Sequence, residues 1–156
     1  MKTSTLETPA FSQTDLSRAG ATLLRVALGI MFIAHSVVLK YLTFTLAGTA
    51  QYFASIGLPA FLAYVVFAVE AVGGVLLVLG IATRWVALAL IPVLLGAMWV
   101  HLGNGWVFSA PNGGWEYPLF LVVISAVVAL QATVPAARPL AAGTDRTLRA
   151  ASRGSE

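Results

Sequence analysis

Four stretches of the chain are almost unbroken in apolar residues, at about 21–44, 61–81, 85–102 and 117–134, and polar positions gather between and beyond them. Each stretch is close to the roughly 20 residues an α-helix needs to cross a hydrocarbon core. The pattern predicts an all-α integral membrane fold, a bundle of four transmembrane helices. Between the first two spans, residues 45–60 carry Ala47, Ala50, Phe53, Ala54 and Ile56 ahead of Gly57 and Pro59, which reads as a short interfacial helix with a stop signal. Spans two and three are separated only by Ala82, Thr83 and Arg84, so they must be antiparallel neighbours. Residues 103–116 differ in kind: Gly103, Gly105, Gly113, Gly114 and Pro111 make a turn-rich loop, and Trp106 and Trp115 are membrane anchors. The organisation expected is a polar N-terminal tail at 1–20, a membrane domain at 21–134 and a basic C-terminal tail at 135–156.

Composition agrees with this pattern. With 59% hydrophobic and 10% charged residues and a mean hydropathy of +0.89, the chain lies outside the range of soluble globular domains. A formal charge of +3 would suit a nucleic-acid partner if the basic residues shared one face, but they sit at the chain ends and in a short turn. Topology accounts for them better. Lys2, Arg18, Arg25, Arg84, Arg138, Arg146, Arg149 and Arg153 fall on one side of the four-span arrangement and Lys40 alone on the other. Positive charge stays inside, so both termini are expected in the cytoplasm of a bacterial inner-membrane protein. The polar first twenty residues lack a small-residue cleavage site, and the first span reads as uncleaved. The sequence has no cysteine, which removes disulfides, thiolate metal sites and iron–sulfur ligation from consideration.

Candidate chemistry lies in the few ionisable residues inside or at the edge of the spans. At about 1.5 Å per residue the midplane falls near Phe32, Ala71, Pro92 and Ala126. Glu70 is then nearly central, His35 slightly outward, and Lys40, His101 and Glu116 near the outer interface. A carboxylate at that depth must be protonated or partnered. Gly73 and Gly74, on the same face as Glu70, let another helix approach. By depth His35 is the best partner; Lys40 or Arg25 could also reach Glu70 by snorkelling, but on an ideal α-helix Lys40 points about 140° away from His35, so the two cannot serve one spot equally. Glu70 and His35 are the candidate catalytic, proton-handling pair; the alternative is a helix-to-helix hydrogen bond that only fixes packing. Pro92 should bend span three beside Glu70. His101, Trp99, Asn104 and Trp106 read either as an interfacial belt or as the mouth of a cavity. Trp115 and Glu116 border the same loop, although Glu116 would also complement a helix N-terminus. Arg25 and Arg84 are assigned structural polar roles. Two histidines at different depths do not suit one haem, and no set of metal ligands is apparent.

Arg25-Val-Ala-Leu-Gly29 leading to Ala34-His35 and Lys40, then Gln51-Tyr-Phe, Gly57-Leu-Pro59, Glu70 with Gly73-Gly74, Gly80 with Thr83-Arg84, and Gly114-Trp-Glu-Tyr-Pro118 together resemble the DoxX family of small four-span bacterial membrane proteins. The resemblance covers about residues 21–134. Two positions depart from the commonest pattern: Ser36 stands where glycine often follows the histidine, and Lys40 comes one residue late. The resemblance implies membrane subunits of redox or oxidative-stress systems, including thiosulfate:quinone oxidoreductase, assemblies with superoxide dismutase and a sulfurtransferase, and metallophore maturation.

The expected function is therefore a membrane subunit of a redox or detoxification system with an outward-facing pocket for a quinone or small substrate. In that reading Glu70 and His35 exchange protons with the substrate and Lys40 attracts an anion. Trp99, His101, Asn104, Trp106, Trp115 and Glu116 then surround the substrate. No residue of this composition carries electrons by itself, so a quinone or a soluble or membrane redox partner is required, and a homo-oligomer is compatible. The competing readings are a non-catalytic anchor that assembles soluble partners on the bilayer and, behind it, a small-solute carrier.

Overall fold

The computed structural model describes residues 12–132. Among these residues the chain is helical with no strand: α1 (Gln13–Ile33), α2 (Leu46–Ser55), α3 (Phe61–Leu79), α4 (Thr83–His101) and α5 (Glu116–Gln131). Three helical segments are long and apolar enough to cross a membrane, namely Gln13–Thr43, Phe61–Leu79 and Thr83–Asn104, and Glu116–Gln131 is a shorter apolar helix. Large apolar side chains such as Leu23, Leu42, Leu79, Trp85 and Leu130 are exposed around the outside. Water would penalise such a surface, and lipid tails would not.

α1 begins about two turns before the expected span, because the Ser12 side chain accepts from the Thr14 N–H at 3.3 Å and Asp15 sits in the first turn. The expected polar tail therefore ends in helix. The expected end of span four and the tail at 135–156 lie beyond the described residues. α3 ends at Gly80 in the left-handed conformation, φ 75°, with Ile81 N–H donating to Leu76 O and Gly80 N–H to Leu77 O. This double closure is how a helix is stopped sharply by glycine. Ala82, also left-handed at φ 47°, turns the chain directly into α4.

α1 packs on α3 and α5, and α4 packs on α5 and α3, while α2 lies against α3. The tightest crossing is between Gly29 of α1 and Gly74 of α3. A Cβ on Gly29 would stand 2.7 Å from Gly74 O, and one on Gly74 would stand 2.8 Å from Gly29 O. Only glycine permits the two backbones to touch in this way. Gly73 beside it receives the Leu90 side chain of α4. Leu28, Phe32, Leu77, Leu90, Leu121 and Val128 make up the largest part of the buried core.

The last stretch of the first helical segment is not α-helical. From Ala34 to Thr43 the ladder widens to a π-helix, and at its end Phe44 N–H donates to Leu39 O, five residues back. Ser36, fully buried at the start of this stretch, turns its hydroxyl inward to donate to Phe32 O at 2.8 Å and Ile33 O at 3.2 Å. Hydroxyls that bond back to the preceding turn are a known source of local distortion in a helix.

Candidate functional site

The wide ladder decides where Lys40 points. With about 4.4 residues per π-turn, residues five apart differ by about 50° rather than the 140° of an α-helix. His35 and Lys40 therefore face the same side. Lys40 Nζ donates to Glu70 Oε2 at 2.6 Å, with side chains 18% and 8% exposed. This corrects the preference for His35 as the partner of Glu70 in favour of the Lys40 alternative; the reason is the change of helix type, which depth reckoning along an ideal α-helix does not include. The Gly29–Gly74 crossing holds α1 against α3, so that the widened end of the first segment passes Glu70.

Glu70, Lys40 and His35 line a cavity of about 640 Å³. Its floor and walls are Met31 and Phe32 of α1, Leu62 and Val66 of α3, and Pro92, Val93, Gly96 and Ala97 of α4. Tyr52 and Phe53 of α2 and Leu58 after it close one side, and Phe108, Gly113, Gly114, Tyr117 and Leu121 close another. A mostly apolar wall with a few convergent polar groups is the usual make-up of a small-molecule site. Pro92 lies on the wall, and its missing N–H leaves Leu88 O without the standard helical donor.

His35 Nδ1 lies 3.0 Å from Met31 O in the preceding turn, and its ring stands 6.1 Å from that of Tyr117 at 25°. His101, at the end of α4, also lines the cavity. Asn104 reaches back to it, its Nδ2 lying 3.3 Å from His101 Nδ1 and 3.0 Å from Asn112 O. Trp99 lines the cavity as well while remaining largely exposed on its other side.

The remaining candidates shape the surroundings. Trp106 and Trp115 pack edge to face at 4.4 Å, and neither lines the cavity. Trp115 N–H donates to Gly105 O and Glu116 N–H to Trp106 O, while a Glu116 Oε1 accepts from Phe108 N–H at 3.0 Å. These bonds fold the loop onto itself, and a Cβ on buried Gly114 would collide with the carbonyls of Trp106 and Val107. Asn104 supports His101 rather than facing the cavity. Arg25 and Arg84 sit at the opposite end of the molecule, beside a separate depression of about 530 Å³. Arg25 donates to Leu77 O and Val78 O, serving the free carbonyls at the end of α3, and the Arg84 guanidinium lies 5.2 Å from the Trp85 ring. Among the described residues no three His, Asp or Glu side chains gather as a metal site would require.

Tyr117, Tyr52, Phe53 and Phe108 are cavity residues that sequence reasoning missed. For Tyr117 a signal existed, since a tyrosine opening an apolar helix carries a polar tip on an apolar body and seeks a polar partner. For Phe53 none did, because an aromatic on an interfacial helix faces lipid or protein with equal ease.

An all-helical architecture with three segments long and apolar enough to cross a membrane fits a helical membrane protein. The family model described as DoxX matches residues 20–103, more than half of the chain, and the chain belongs to that family. It is 47% identical over 79 residues to a Bacillus subtilis (strain 168) protein named "Putative oxidoreductase CatD", an overlap of 51% of this chain and 57% of that protein. This chain therefore aligns with little more than half of the relative's length. No solved structure matches.

Proposed function

We propose that the protein is a membrane subunit of a redox or detoxification system whose cavity takes a quinone or a similarly sized ring. The observation that carries this reading is the Lys40–Glu70 pair set in the wall of a 640 Å³ apolar cavity together with His35 and His101. A quinone ring and the start of its tail need apolar contact and one or two hydrogen-bonding groups, and the cavity supplies both. Its chemistry, when bound, is the transfer of electrons and protons. Glu70 and His35 stand where they would exchange protons with an occupant, and Lys40 holds the Glu70 charge in place. Trp99 bounds the ring, while Trp106, Trp115, Asn104 and Glu116 shape the loop that frames it. The oxidoreductase name of the Bacillus relative is in keeping with this assignment.

The same reading places four helical spans in the bacterial inner membrane, with α2 lying at the interface, both termini cytoplasmic and the cavity toward the outer face. α5, at 16 residues, covers about 24 Å.

The test is binding of a short-chain quinone to the purified protein in lipid nanodiscs, compared with Glu70→Gln and His35→Ala. Saturable binding weakened about tenfold or more in the variants is the expected result. Absent or unchanged binding, in a preparation that retains a soluble enzyme instead, would establish the anchoring function in its place.

A further inference from the structure

The two histidines of the cavity are not chemically equivalent, and their neighbours say how they differ. A backbone carbonyl only accepts hydrogen bonds, so the contact between His35 Nδ1 and Met31 O at 3.0 Å requires the proton on Nδ1. When the ring is neutral, its Nε2 is then a bare lone pair. At His101 the partner is reversed. The Asn104 nitrogen that meets His101 Nδ1 also meets Asn112 O at 3.0 Å, and that carbonyl needs the NH₂ end of the amide. The amide therefore donates to His101 Nδ1, and the His101 proton sits on Nε2. A Cβ on Gly113 would stand 3.5 Å from the His101 ring, so the loop that carries Asn112 passes beside the ring.

We infer that the cavity's two imidazoles are fixed in opposite tautomers, His35 as an acceptor and His101 as a donor, and that they select a ring bearing a hydroxyl at the His35 end and an oxygen acceptor at the His101 end, a hydroquinone over its quinone. The ligand class rests on the quinone reading of the same site; the tautomers do not. A quinone has acceptors at both ends and leaves the His35 lone pair facing a carbonyl, a repulsive and unsatisfied contact. A hydroquinone donates to His35 Nε2 and accepts from His101 Nε2–H with the same ring. Tyr117, stacked near His35 on the cavity wall, limits how far that ring can turn away.

The chain contains two histidines, so ¹⁵N-histidine labelling of the intact protein in nanodiscs yields a spectrum that one variant at each site assigns. At about pH 8.5, above the ordinary imidazole range, we expect His35 with Nδ1 protonated and His101 with Nε2 protonated; one shared tautomer overturns the inference. In parallel, anaerobic titration with tetramethylhydroquinone and with tetramethylquinone should show the hydroquinone binding about tenfold tighter. His35→Phe should abolish that preference, and His101→Phe should weaken both rings while keeping it. A preference that survives His35→Phe, or equal affinity of the two rings for the unmodified protein, overturns the selectivity and leaves the quinone reading intact. Binding of neither ring overturns the quinone reading and the ligand class with it.

Discussion

Glu70 and Lys40 are each other's solution to a shared cost. A carboxylate 8% exposed among apolar helices is tolerated because an ammonium stands 2.6 Å away. Removing the lysine alone leaves the acid uncompensated, so Lys40→Met should cost about 3–5 kcal/mol, read as a lowered unfolding midpoint in detergent. Lys40→Met with Glu70→Leu should recover most of that loss, since an apolar pair of similar size has no charge to desolvate. A double variant no more stable than the single one would mean that the pair is not what holds this region. Much of this was legible in the residues themselves: Glu70 was recognisable as a deep acid, and Gly73-Gly74 as the place where another helix comes close. Its partner was not legible, because the choice between His35 and Lys40 turned on about 90° of helical phase that residue identities do not encode.

That phase belongs to the element. Between His35 and Lys40 the first segment runs as a π-helix, and the widening turns the lysine onto the face that carries the histidine. On an α-helix a separation of four residues gives about 40°, and on the π-helix a separation of five gives about 50°; the extra residue is absorbed without losing the pair. Deleting Val38, an exposed residue of this stretch, should therefore return the segment to α geometry and keep Lys40–Glu70 coupling in a double-mutant cycle. Inserting an alanine at the same point should abolish the coupling, and retention of coupling after insertion would refute the phase argument. The α1–α3 crossing is as demanding. Gly74→Ala would drive a Cβ into Gly29 O at 2.8 Å, whereas Gly20→Ala meets nothing within 4 Å. The first should destabilise by about 1–3 kcal/mol, and the second should be neutral or stabilising by up to about 1 kcal/mol, both by thermal unfolding. The sharp turn before α4 was readable from the break in the apolar run, and a short helix within 45–60 from its apolar residues ahead of Gly57 and Pro59. The folding of the 103–116 loop onto itself was not, because it depends on Glu116 accepting from Phe108 and on Gly114 fitting under two carbonyls.

For the whole molecule, the two ends differ in their charged residues. One end gathers Arg25 and Arg84 around the α3–α4 turn; the other holds Lys40, already spent on Glu70, and the loop beside His101. If positive charge is retained inside, the cavity end faces out and receives its occupant from the outer half of the bilayer. The proposed four-span arrangement requires α5, a shorter apolar helix, to cross as well. The absence of cysteine makes this directly measurable, since a single introduced thiol is the only one present. In intact cells, an impermeant maleimide should label Asn112→Cys on the loop, and should reach Arg84→Cys and Gly154→Cys only after the membrane is permeabilised. Labelling of Gly154→Cys from outside would show that α5 does not cross, and labelling of Arg84→Cys with protection of Asn112→Cys would invert the molecule. Inversion would turn the mouth of the cavity toward the cytoplasm and require any redox partner to dock there.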